Sequence, residues 1–88
     1  MAEITVQKIH ESNFRVTVVD RSTTSHEVGV QADYAQKLTK GKISNEALVK
    51  KSFAFLLERE SNTSILRSFD LSVIARYFPE YEREISRY

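Results

Sequence analysis

The side chains best suited to chemistry are two histidines, a run of lysines and a C-terminal group of tyrosines and arginines. His10 and His26 stand sixteen residues apart with no third ligand at a recognisable spacing, a placement that fits chance better than a metal site. Neither has a serine or an acid beside it in a recognisable catalytic arrangement. The chain has no cysteine, which removes thiol nucleophiles, cysteine-based zinc sites and disulfides. Its two glycines, Gly29 and Gly41, make no phosphate-cradling loop. Glu58, Glu60 and Asp70 read most simply as helix-surface charges and a helix cap. No catalytic residue, cofactor or metal is therefore expected.

Charge gives a second group. The net charge is +1, distributed as −2 over residues 1–33, +4 over 34–57 and −1 over 58–88. The excess is Lys37, Lys40, Lys42, Lys50 and Lys51, opposed by Glu46. A solvated helix face explains it, with Glu46 supporting Lys50 at i,i+4. The alternative is an anion-attracting patch for nucleic acid, although nucleic-acid modules usually carry a stronger bias.

The third group is Arg76, Tyr77, Tyr81, Arg83 and Tyr88, joined by Arg87. Tyrosine and arginine are enriched at interface hot spots because each combines contact area with a polar handle. Either these aromatics close the edge of the core or they meet a protein partner, a second copy being the simplest one.

The elements that must position these groups follow from hydrophobic periodicity. Residues 3–9, 14–19 and 25–30 alternate apolar and polar as half-buried strands do, whereas 33–40, 44–60 and 70–86 repeat at helical spacing. On the strands Ile4 and Val6, then Phe14, Val16 and Val18, then His26, Val28 and Val30 share the buried parity, which places His26 at the rim of the core. Residues 10–13 and 20–24 are polar and of hairpin length. Asp33 opens a short helix that stops at Lys40-Gly41, and Ser44 caps a longer one with Glu46 in its first turn. The longer helix buries Leu48, Val49, Phe53, Leu56 and Leu57, with Phe55 at the margin. Ile65, Leu66 and Phe69 form an apolar cluster before Asp70, which caps a helix burying Leu71, Ile74 and Phe78. Pro79 ends that helix and is placed to open the last one.

All strands precede all helices, so the fold class is α+β: a three-stranded antiparallel β-meander followed by three or four short helices packed on one face. That order argues against a crossover connection between parallel strands. The 88 residues form a single domain, with the meander over 1–30 and the helical half over 31–88. No stretch reaches the roughly 20 apolar residues of a membrane span, and Met1–Ile9 lacks the apolar run of a signal peptide. A cytoplasmic protein with no membrane partner is expected.

Two resemblances add to this. The segment SFAFLLERESNTSILRSFDLSVIARYFPEYEREI, residues 52–85, resembles one shared by short bacterial proteins of unassigned function, and it implies no chemistry. Residues 25–60, SHEVGVQADYAQKLTKGKISNEALVKKSFAFLLERE, resemble a ribbon–helix–helix unit in pattern. That resemblance implies a dimer whose paired strands, His26–Val30, enter the DNA major groove, with helices at Asp33–Lys40 and Ser44–Glu60. The pattern departs at the outward strand positions Ser25, Glu27 and Gly29, where DNA readers carry basic or amide side chains. The leading expectation is a non-enzymatic interaction or regulatory module with a protein partner. The alternative is a ribbon–helix–helix-like, antitoxin-type DNA-binding regulator.

Overall fold

The computed structural model describes residues 2–87. Strands β1 (Glu3–His10), β2 (Asn13–Val19) and β3 (Thr23–Gly29) form the expected antiparallel meander. Each strand has one apolar face, so Phe14, Val16, Val18 and Val28 are fully buried while Arg15, Ser25 and Glu27 stay in water. β1 opposes β2 with Thr5 against Thr17, and a bulge between Lys8 and His10 shifts the register near the turn.

Helix α1 (Ala32–Thr39) and helix α2 (Asn45–Leu57) follow, and then β4 (Ser68–Asp70) pairs parallel to β3. The sheet is thus four-stranded and mixed, in the order β1-β2-β3-β4, and α1 and α2 are the crossover between its parallel strands. This corrects the three-stranded expectation and the argument against a crossover. Three residues are too few to show alternation, and their pairing is decided by the edge that β3 leaves open. There Glu27 N–H donates to the Arg67 carbonyl at 2.7 Å and Leu71 N–H to the Gly29 carbonyl at 2.9 Å.

The Ser44 hydroxyl accepts from Ala47 N–H at 3.1 Å, capping α2 as expected. Helix α2 is buried more widely than a single stripe: Leu48, Val49, Ser52, Phe53, Phe55 and Leu56 are all inside. Phe53 meets His26 of β3 and Phe69 of β4. Phe55 meets Phe78 and Tyr81, which belong to the C-terminal part of the chain. That part comprises α3 (Ser72–Tyr77) and α4 (Tyr81–Ile85), with Pro79 in the turn between them rather than at the first position of α4. Leu71 and Ile74 are buried and Phe78 is half-buried, on one face as read. Arg59 helps fix α4 to α2: its guanidinium lies 3.6 Å from the Phe55 ring centroid and Nε donates to Glu80 at 3.1 Å. The Glu80 carboxyl is held below its usual range by its own backbone N–H and by Arg59.

Helix α1 ends at Lys40, which adopts φ 54° and donates its N–H to the Gln36 carbonyl at 2.8 Å. A side chain in the left-handed region costs about 1–2 kcal/mol, against about 0.4–1 kcal/mol for the extra unfolded-state freedom of glycine. Lys40→Gly is therefore expected to stabilise the chain by about 0.5–1 kcal/mol, a rise of a few degrees in Tm. Thermal unfolding followed by circular dichroism checks this, and a fall in Tm would contradict it.

Candidate binding surface

The histidines do not converge. His10 is exposed at the end of β1, whereas His26 lies in the core at 2% exposure, deeper than the rim position expected. A carbonyl only accepts, so His26 Nδ1–H donates to the Leu66 carbonyl at 2.8 Å. Nε2 lies within hydrogen-bond distance of the Thr24 hydroxyl, at 2.9 Å. Asn62 Nδ2 donates to Thr24 Oγ1 at 3.0 Å and to the Ser22 carbonyl at 2.9 Å. Both imidazole nitrogens are thereby used to clasp the segment before β4 onto β3. Among the described residues no group of three His, Asp or Glu side chains could hold a metal ion.

Two of the carboxylates singled out in the sequence, Asp70 and Glu58, are engaged with close neighbours. Asp70 accepts from the Ser72 hydroxyl at 2.9 Å and from Ser72 N–H at 3.3 Å, although Leu71 rather than the expected Asp70 occupies the N-cap of α3, and Glu58 pairs with Arg59 at 3.2 Å. Glu60 lies at the margin of an apolar groove described below.

All five lysines are exposed. Lys37 lies 3.5 Å from Glu82 of α4 and 5.9 Å from the Tyr34 ring centroid. Tyr34 donates its hydroxyl to Glu82 at 2.8 Å. Burial first, and then this bond and the Glu82 charge, push the phenol far above its usual range, so it remains a donor at neutral pH. Lys50 instead borders a cleft between α2 and β1 that also contains Glu46, Ile4 and Val6. Strand β3 is hydrogen-bonded by β2 along its length and by β4 over Glu27–Gly29, the stretch that an intermolecular ribbon would use. A ribbon–helix–helix dimer through this strand would require β4 to be displaced.

The C-terminal residues divide. Arg76 and Arg83 are exposed, and Tyr77 is 67% exposed. Tyr81 is fully buried, which corrects its place in the expected interface. Its helix starts after the Pro79 turn, and its ring faces α2, where its hydroxyl lies 2.7 Å from Ser52 Oγ. Ser52 gives its own hydrogen to the Leu48 carbonyl at 2.7 Å, so Tyr81 is the donor. Tyr88 lies outside the described residues.

Tyr77 forms one wall of an apolar groove of about 180 Å³, and Leu66, Val73 and Phe78 form much of the rest. Ile65, Phe69 and Ile74 lie beneath, with Glu60 supplying a carboxylate. Leu66 is 48% exposed although its carbonyl is fixed by His26. The sequence offered a signal for this surface: Leu66 stands in the apolar cluster with Ile65 and Phe69, and Val73 is an apolar residue that the predicted core face of its helix did not require. What it lacked was β4, which brings residues 65–69 against α3.

Among the described residues no helix is long and apolar enough to cross a membrane. No protein-family model matches this chain, and no curated protein and no solved structure matches it.

Proposed function

We propose that this chain is a non-enzymatic interaction or regulatory module whose protein partner docks on the groove between Leu66 and Tyr77. The observation that carries this reading is an apolar groove with two large side chains, Leu66 and Tyr77, left 48% and 67% exposed at its walls. Its volume, about 180 Å³, falls below the roughly 300–1,000 Å³ usual for small-molecule and cofactor sites. A cleft of this size suits one anchoring apolar side chain of a partner.

Affinity capture of the tagged chain from its own cells, compared with a Leu66→Ala/Tyr77→Ala variant, tests the reading. Truncating hot-spot side chains costs at least about 2 kcal/mol of binding, or roughly 30-fold in affinity. Tyr77 lies largely in solvent and Leu66 is about half exposed, so stability is expected to fall by no more than about 0.5 kcal/mol at Tyr77 and about 1 kcal/mol at Leu66. Partners captured by the wild type and lost by the folded variant support the groove. Equal capture by both removes it.

A further inference from the structure

From the free edge of β1, we infer that two copies of this chain pair through β1 about a two-fold axis at Thr5, joining their sheets into one. Strand β1 is the open end of the sheet and runs for eight residues, whereas β4 at the other end has three. An edge of that length presents unpaired backbone groups and is a template for another strand.

The hydrogen-bond phase shows which groups are free. Val30 N–H donates to the Ser12 carbonyl at 2.7 Å, in register with Asn13 opposite Gly29. Bonded and non-bonded pairs alternate along antiparallel strands, so Phe14, Val16 and Val18 turn their backbone groups toward β3. Arg15, Thr17 and Val19 therefore turn theirs toward β1, where they meet Gln7, Thr5 and Glu3. Ile4, Val6 and Lys8 are left with N–H and C=O directed out from the sheet.

A two-fold axis perpendicular to the sheet keeps buried faces together, so it must pair residues of like parity. With the axis at Thr5, Ile4 of one copy stands opposite Val6 of the other, and each such pair closes with two hydrogen bonds. Glu3 meets Gln7, Lys8 meets Ala2, and no like charges are directly opposed. Moving the axis to Val6 would instead set Ile4 against Lys8. Ile4 and Val6 are only half-buried although they lie on the core face, and the cleft beside them, about 400 Å³, runs along α2. Each cleft carries one acid, Glu46, and one base, Lys50, so the charges brought to the axis by two copies cancel. The bulge beyond Lys8 ends the straight run, which confines pairing to Ala2–Lys8. The result is a closed, isologous dimer.

Sedimentation equilibrium of the full chain over a concentration series tests this, with circular dichroism as the folding control. The wild type is expected to be a dimer. Val6→Pro deletes an N–H that β2 does not use and is tolerated on an edge strand; it should weaken dimerisation at least about tenfold. Thr5→Lys and Thr5→Glu alter an exposed side chain and place like charges face to face on the axis. Each alone should weaken the dimer by about fivefold, and their mixture should restore it as a heterodimer. A wild type that stays monomeric overturns the inference, including one whose β1 pairs with a strand of another protein. So does a dimer that the folded Val6→Pro chain retains unchanged. A Thr5→Lys/Thr5→Glu mixture no tighter than either variant alone overturns the Thr5-centred arrangement.

Discussion

Phe53→Ala is expected to lower the free energy of unfolding by about 3–5 kcal/mol, the usual cost of deleting a buried aromatic ring. Phe53 is fully buried on the sheet side of α2, with its ring centroid 5.3 Å from that of His26 and 6.0 Å from that of Phe69. Truncation would open a void where α2, β3 and β4 meet. The void would lie against an imidazole whose two nitrogens are already committed to Thr24 and Leu66, so His26 cannot swing to fill it without breaking those bonds. A domain of this size commonly has only about 5–10 kcal/mol to lose. At roughly 4–8 °C per kcal/mol, the fall in Tm would leave the variant substantially unfolded near physiological temperature. Ile74→Ala, under the groove and 3% exposed, is expected to cost about 2–5 kcal/mol by the same mechanism. Urea unfolding with an unchanged m-value measures both. Losses below about 1 kcal/mol at both sites would mean that the packing around α2 and α3 is not as described.

How far the fold can be read from the sequence depends on how local the deciding interaction is. The three long strands are legible because each has a wet face and a dry one, and alternation records that directly. The start of β3 is less so: Thr23 and Thr24 read as turn residues, yet they continue the ladder opposite Val19 and Val18. Strand β4 is invisible for a different reason. Its pairing depends on the edge of β3, about 40 residues earlier, and a three-residue element carries no periodic signal of its own. The same distance hides the depth of His26. Parity puts it on the core face, but its burial is possible only because the Leu66 carbonyl, 40 residues away, accepts from Nδ1. In α2 the predicted stripe was too narrow because α4 covers a second side of the helix, burying Ser52 and Phe55. The groove suffers from both effects: Leu66 and Tyr77 flank it only after β4 docks and α3 turns back along it. The charge run at 34–57, by contrast, is obvious in the sequence, but the fold sets Lys37 against α4 and Lys50 beside β1.

Tyr77 and Tyr81 look equivalent in sequence and should behave oppositely when truncated. Tyr81→Ala is expected to cost about 3–5 kcal/mol of stability. Its ring is fully buried against α2, edge-on to Phe55 at 5.3 Å, and its hydroxyl donates to Ser52 Oγ at 2.7 Å. Tyr81→Phe keeps the ring and removes the buried hydrogen bond to Ser52. Ser52 still donates to the Leu48 carbonyl, so no donor is stranded, and the cost should be about 0.5–1.5 kcal/mol. Tyr77→Ala, at a position 67% exposed, should change stability by no more than about 0.5 kcal/mol. Chemical denaturation of the three variants separates these values readily. A loss of partner capture in Tyr81→Ala would then reflect unfolding, whereas the same loss in Tyr77→Ala would report on the groove. If Tyr81→Ala melted within a few degrees of the wild type, α4 could not be packed on α2 as described. The aromatic ring would then be free to serve a partner, and the division of the C-terminal tyrosines into core and surface would fail.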